Sequence, residues 1–276
     1  MHTHPSHPPA APSPAARRLL LEHDRQVRGS IARRLPDGWS AFPADRVLRV
    51  RTPHRGFAFT DGLHGLSEDE VDDAVASTVA FFAGHGEGFE WKAYSHDHPA
   101  LVPALRRHGL VADPTETVLV GPTGTFTDAG APPDGVGLRR VRLRADLEAI
   151  AALQSEVWDE DWSWLAEDLE DRLRSAPDDV AIWVAEVEGR AVSTAWLVRL
   201  PGTGFAGLWG GSTLAAWRRR GVYRSLVAVR ARHAQRLGVR HLWVDASDDS
   251  RPILERLGMT AVATTTPWIA SPGGHP

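Results

Sequence analysis

The spacing of apolar residues changes character along the second half of the chain, and each change marks an element. "GLRRVRL" (Gly137 to Leu143) alternates as a strand, while Ala145 to Trp158 and Trp162 to Arg174 carry apolar residues at helical spacing. "VAIWVAEVEG" and "RAVSTAWLVRL" alternate as two paired strands around a turn at Gly189, and "FAGLWGGSTL" reads as a third strand. From Val222 the positions Val222, Leu226, Val229, His233 and Leu237 mark one face of a helix stopped by Gly238, which makes His233 a core histidine. A strand "HLWVDA", a short helix and a Thr-rich extended segment complete the half. The first half repeats that ending. "PALRRHGL" and "PILERLGM" share Pro103, Leu105, Arg107 and Gly109 with Pro252, Leu254, Arg256 and Gly258 at identical spacing, each after a strand-like run, "FEWKAY" or "HLWVDA". Proline fits the first turn of a helix and a glycine beyond the last turn takes the left-handed conformation that closes it, so each copy predicts a helix of about two turns.

These patterns predict a mixed α/β (α+β) fold with a largely antiparallel sheet flanked by helices, in two tandem copies. "GPTGTFTDAGAPPDGVG" (121–137), dense in Gly, Pro and Asp, reads as the linker between residues 18–120 and 138–276. The start, "MHTHPSHPPAAPSPAA", is Pro/Ala-rich without the basic and apolar regions of a signal peptide, so 1–17 reads as a disordered tail. His2, His4 and His7 lie in that tail, where nothing preorganises them for a metal, and no metal site is expected.

Composition narrows the chemistry. A formal charge of -4 denies the chain the general basic field of nucleic-acid binding, so any anion must be held locally. No cysteine is present, which removes disulfides, thiolate metal sites and cysteine nucleophiles and fits a cytoplasmic location. No apolar run approaches the length that crosses a bilayer, and a soluble protein without a membrane partner is expected. Lys92 is the sole lysine.

"GTGFAG" (Gly202 to Gly207) satisfies the dinucleotide pattern by letter, but it lies between two strands with no helix to receive a pyrophosphate, so it reads as a hairpin loop. "AWRRRGVYRSL" (Ala216 to Leu226) has the context the other lacks. Arg218, Arg219, Arg220 and Gly221 stand between a strand and a helix start, where unpaired N–H groups and the positive dipole end favour a polyphosphate. From Arg218 to Val244 there are eight arginines and no acidic residue. The alternative is an arginine cluster on a solvated helix end.

The strand, R-x-x-G-x-[G/A], helix order resembles the acyl-CoA signature of the GNAT-type N-acetyltransferase superfamily, from Leu138 to Ala270 in element order and weakly, as a degenerate copy, from Asp24 to Val120. The resemblance implies an acetyl-CoA cofactor. Backbone groups near Thr213 and Leu214 would hold its pantetheine, the amides of Arg219, Arg220, Gly221, Val222, Tyr223, Arg224 and Ser225 its pyrophosphate, and Ser247 the far end of the arm. Tyr223 departs from the pattern, which prefers Gly or Ala there, so its ring must turn aside. In the first half "GLHGLSEDEVDDAV" replaces the arginine loop with acidic residues, and no cofactor is expected there.

Acyl transfer to an amine requires a polarised carbonyl, which a backbone N–H of the strand ending at Leu214 would supply next to a kink at Gly210–Gly211. The tyrosine that family members often use to protonate the leaving sulfur is replaced by Leu254, leaving Tyr223, Ser247 or water as substitutes. Asp245 and Glu156 are the candidate bases, each with a plain surface or capping role as the alternative. "SEVWDEDWSWLAEDLEDRL" packs eight carboxylates and three tryptophans, Trp158, Trp162 and Trp164, into the region where such enzymes recognise acceptors. That suits a small cationic amine; the other reading is a wet acidic helix with buried tryptophans. The expectation is an acetyl-CoA-dependent N-acetyltransferase with a small-molecule amine partner and no nucleic acid, a monomer with an internal pseudo-dimer or a homodimer. The competing reading is a CoA-binding sensor or scaffold without turnover.

Overall fold

The computed structural model describes residues 13–29, 35 and 38–272. The histidines of the N-terminal tail lie outside them, and among the described residues no cluster of His, Asp or Glu has the arrangement of a metal site. Pro14 to Arg17, expected within the disordered tail, instead begin helix α1 (Pro14–Gln26): Ser13 accepts the Ala16 N–H at 3.2 Å and proline occupies the first turn.

Strands β1 (Ser40–Ala44), β2 (Val47–Arg51) and β3 (Gly56–Thr60) lead into helix α2 (Glu68–Gly84), strand β4 (Phe89–Tyr94), helix α3 (Leu101–Arg107), the short β5 (Val111–Ala112) and β6 (Glu116–Pro122). The second half runs β7 (Gly137–Val141), α4 (Arg144–Trp158), α5 (Leu165–Ser175), β8 (Val180–Val187), β9 (Arg190–Arg199), β10 (Phe205–Thr213), α6 (Val222–Arg236), β11 (His241–Ala246), α7 (Arg251–Arg256) and β12 (Thr260–Ala270). Element order therefore repeats, with β2-β3-α2-β4-α3-β6 answered by β9-β10-α6-β11-α7-β12. The matched glycines act as their spacing implies: Gly109 and Gly258, closing α3 and α7, have φ of 79° and 103°.

Both halves build one mostly antiparallel sheet, ordered β1-β2-β3-β4-β12-β6-β11-β10-β9-β8-β7, with β5 beside β12. The order exposes an exchange. The last strand of the first half, β6, pairs with β11 of the second, while β12, the last strand of the second half, pairs with β4 of the first. The expected 120/121 boundary thus falls inside an exchanged strand. The 121–137 segment is also no free tether, since Phe126 is buried under α6 and Arg224 and Arg232 hold the carbonyls of Ala129 and Thr127.

Alternate strand residues serve opposite faces. Ala181, Trp183 and Ala185 of β8 pack with α6, whereas Val180, Ile182 and Val184 pack with α4 and α5. Phe205, Val118 and Trp243 carry α1 on the α4/α5 side of the sheet, while Ala206, Leu119 and Leu242 join the α6 core. Trp91 and Ala93 meet α2 and α3, which turns the intervening Lys92 toward the α1 side. The second of the two acidic-segment helices begins at Leu165, three residues after the expected Trp162, because the Trp162 N–H is taken by Ser155 Oγ at 3.0 Å and Trp162–Trp164 form a turn. His233 of α6 is half-buried rather than fully inside, edge-on to Trp183 at 5.3 Å, and Leu237 is exposed.

Candidate functional site

Two strands part at the centre of the second half. β10 and β11 pair in parallel only through Phe205–Gly207 and His241–Trp243, after which β10 stays with β9 and β11 with β6. The parting coincides with a bulge between Trp209 and Ser212, in which Gly210 takes φ 56° and the Trp196 ring fills the space a Cβ would need. The carbonyl freed there is not left unpaired: Gln154 of α4 donates to Gly210 O at 3.0 Å, accepts from Ser212 Oγ at 2.7 Å and accepts from Trp158 Nε1 at 2.9 Å. Gln154 and Ser212 escaped sequence reading because a lone Gln on a helix carries no motif.

Strand alternation settles which amides face the gap. Leu214 N–H donates to Val192 O at 3.0 Å and is spent, so the N–H of Thr213, next along the strand, points to the parted edge. The Thr213 hydroxyl is fixed by Ser193 at 2.8 Å, and its carbonyl accepts from Arg218 Nε at 3.1 Å.

Beyond the strand the chain makes a donor-rich loop. Arg219 and Gly221 have φ of 61° and 88°, and Gly221 caps α6 without a side chain. Among the described residues, none of the six consecutive N–H groups from Arg219 to Arg224 meets an acceptor, Ser225 N–H being the first to bond, to Gly221 O at 3.1 Å. Left-handed turns of this kind gather amides into an anion-binding concavity at the positive end of a helix. Arg219 and Arg220 stand exposed beside it, Arg220 over the Trp217 ring at 4.8 Å. Val222 is core, Ser225 Oγ turns back to Val222 O at 2.8 Å, and the Arg224 side chain is committed to Ala129. Ser247 begins the α7 turn, its carbonyl accepting from Ser250 and Arg251, on the far side of the gap.

The unusual Tyr223 finds its space in a glycine. A Cβ on Gly211 would stand 2.6 Å from Tyr223 Cε2, so the ring lies against the bulge through a gap that only glycine leaves. Burial pushes the phenol pKa up, and the Arg230 guanidinium beside it pulls the other way. Leu254 is fully buried in the α6 core.

On the α1 side of the sheet, Asp245 lies 2.7 Å from the Nζ of Lys92, which also reaches Glu116 at 3.2 Å. Strand exchange creates this bridge between residues 153 apart. Burial alone would lower the Lys92 pKa, but Asp245 and Glu116 outweigh it and hold the ammonium well above its ordinary range. Glu116 is raised by burial, opposed by Lys92 and reinforced by Asp245. The Asp245 side chain is only 10% exposed, and its Oδ1 meets no donor. Glu156, by contrast, is 59% exposed and faces Arg190 at 3.6 Å. Trp158 and Trp164 are about half exposed; Trp162 stacks on Trp164 at 5.3 Å, and His54 of the first half reaches Trp164 at 5.5 Å. The tryptophan wall is thus completed from the other half.

Residues 147–259 match the family model described as acetyltransferase (GNAT) family. Among solved structures, a GCN5-related N-acetyltransferase from Kribbella flavida is similar over 96% of this chain and 98% of its own, with 21% identity and a TM-score of 0.68. A functionally unknown conserved protein from Staphylococcus epidermidis is similar over 88% and 97%, at 11% identity and TM-score 0.62. A tandem GNAT protein from the clavulanic acid biosynthesis pathway is similar over 98% and 92%, at 13% identity and TM-score 0.60. At these identities the likeness is one of fold. No curated protein matches the sequence. Among the described residues no helix is long and apolar enough to cross a membrane.

Proposed function

From the match of residues 147–259 to the acetyltransferase (GNAT) family model, we propose that this protein is an acetyl-CoA-dependent N-acetyltransferase acting on a small, cationic amine by direct attack in a ternary complex. The observation that carries the reading is the run of free N–H groups from Arg219 to Arg224 beside a parted strand pair. This donor set fits a diphosphate: it is uncapped, has no carboxylate in its first turn and ends in exposed arginines.

Bound acetyl-CoA supplies the acetyl group as a thioester, whose thiol, with an ordinary pKa of about 8.5, is a competent leaving group. The amides of Arg219 to Arg224 hold the diphosphate, and Thr213 offers its open-edge N–H to the arm or to the polarised carbonyl oxygen. Asp245 takes the amine proton at Oδ1, directly or through water, while Lys92 fixes its other oxygen. Glu156 sits among solvated charges and serves as a peripheral attraction for a cation. Trp158, Trp162 and Trp164 present aromatic faces to the acceptor, a contact worth about 0.5–2 kcal/mol. The reading takes one cofactor per chain, with no nucleic-acid or membrane partner, in a cytoplasmic monomer or homodimer.

Calorimetry with CoA and free-thiol release across an amine panel test the proposal together. Asp245→Asn should lower kcat about 100-fold or more and leave CoA affinity unchanged. Absence of any heat with CoA ends the reading. The buried Leu254 in place of a tyrosine favours one rival, a CoA-holding module without turnover. Tight binding without thiol release across the panel would establish that rival instead.

A further inference from the structure

Beneath the bulge of β10 lies a cation without an anion. Arg230, two turns after Tyr223 on α6, is 1% exposed. Its Nε donates to Leu226 O at 3.0 Å, its Nη1 to Trp196 O at 3.3 Å and to Trp209 O at 3.4 Å, while Nη2 is buried and meets no acceptor. Elsewhere the chain pairs its buried arginines, Arg28 with Asp97 and Arg49 with Asp45. Among the described residues no carboxylate pairs with Arg230, and the Tyr223 phenol lies beside its guanidinium. An uncompensated charge in a core is costly to keep, and the cost is offset where negative charge develops beside it. Here the carbonyls Arg230 holds belong to Trp196 and Trp209, on both strands that shape the bulge, and the phenol beside it lies against Gly211 of that bulge.

We propose that Arg230 is a positioning residue for acyl transfer: it pins the bulge through two strand carbonyls and sets a fixed positive charge behind the Tyr223 phenol, which protonates the departing sulfur where Leu254 cannot. The inference rests on the acetyltransferase reading above. In the step, the amine nitrogen bonds to the acyl carbon and the carbon–sulfur bond breaks with its electron pair on sulfur. The Tyr223 Oη proton moves to that sulfur, the amine gives up one proton to Asp245, and solvent reprotonates the phenolate that Arg230 has stabilised.

The chain has two tyrosines, Tyr94 and Tyr223, so the full-length protein labelled with fluorotyrosine gives two fluorine resonances, assigned through Tyr94→Phe. In cofactor-free Arg230→Met the Tyr223 resonance should titrate about one pH unit or more higher than in the wild type, with Tyr94 unmoved and most of the shift recovered in Arg230→Lys. Arg230→Gln, which keeps donors for the carbonyls but no charge, substitutes where the Met variant does not fold. In turnover, Arg230→Met and Tyr223→Phe should each lower kcat about 100-fold, the double variant should fall no further than Tyr223→Phe, and the KM for acetyl-CoA should stay within about twofold. A folded neutral variant whose Tyr223 titrates at the wild-type pH overturns the proposal, as do additive losses in the double variant. Failure of the wild type to acetylate any amine would remove the acyl-transfer role from both residues even if the titration shifts as expected.

Discussion

The two halves share an element order and differ in what they do at the same place. In each, two parallel strands pair for three residues and then part: β3 and β4 through Gly56–Ala58 and Phe89–Trp91, β10 and β11 through Phe205–Gly207 and His241–Trp243. In the first half the protein fills the gap itself. Arg28 donates to Thr60 O at 3.0 Å and to Asp97 at 2.8 Å, lies 4.0 Å over the Tyr94 ring, and His98 N–H closes onto Gly62 O at 2.8 Å. The following helix is equally closed. Ser67 and Glu70 form a reciprocal capping box, and Glu68 and Asp69 add negative charge to the first turn of α2. In the second half the matching helix start has neither cap nor acid, and its donors stay free. One scaffold therefore yields a sealed gap or an open one according to whether the helix start satisfies its own amides.

Breaking the seal should give the largest effect. Arg28→Met strands Asp97 in the interior and should cost about 3–5 kcal/mol in denaturant unfolding, while CoA affinity stays unchanged. Disturbing the open gap comes next: Gly210→Ala drives a Cβ into the Trp196 ring at a positive φ, for a loss of about 2–4 kcal/mol together with CoA binding by calorimetry. Giving the open loop the acidic character of the sealed one, through Arg219→Glu and Arg220→Glu, should weaken CoA about 100-fold, or about 2.7 kcal/mol, and more at low salt. The reciprocal Glu68→Arg and Asp69→Arg should leave the stoichiometry at one CoA per chain, and a second site appearing there would break the comparison.

The smallest effect separates the two long helices by pH. Buried Thr78 of α2 does not titrate, whereas burial and the fields of Arg140, Arg236 and Arg142 lower the His233 pKa to about 4. The unfolded chain binds that proton near pH 6.5, so the folded state loses stability as pH falls from about 6.5 toward 4 and no further below it. His233→Gln should flatten that limb, by less than about 1 kcal/mol given the partial exposure of the ring.

Much of this contrast was legible from local patterns. The strands 89–94 and 241–246, the paired short helices with their closing glycines and the arginine loop all follow from spacing and capping chemistry, which act within a few residues. The kink at Gly210–Gly211 was legible for the same reason. Partner choice among strands was not, because β6 and β12 would satisfy their backbone groups equally in either half, and no residue near them records the exchange. Every feature that depends on the exchange was hidden with it: the Lys92–Asp245 bridge and the contact of His54 with Trp164. The Arg28–Asp97 plug and the unpaired Arg230 stayed unread because a single arginine looks alike in sequence whether it faces water or a core.

The traded strands make each half a hostage of the other. A polypeptide cut in the Pro- and Gly-containing stretch 130–135 would stay clasped as two chains through the hydrogen bonds of β6 with β11 and of β12 with β4, and either fragment expressed alone would present a sheet missing its native neighbour. Unfolding should accordingly run as one event along the whole length, with neither half able to outlive the other.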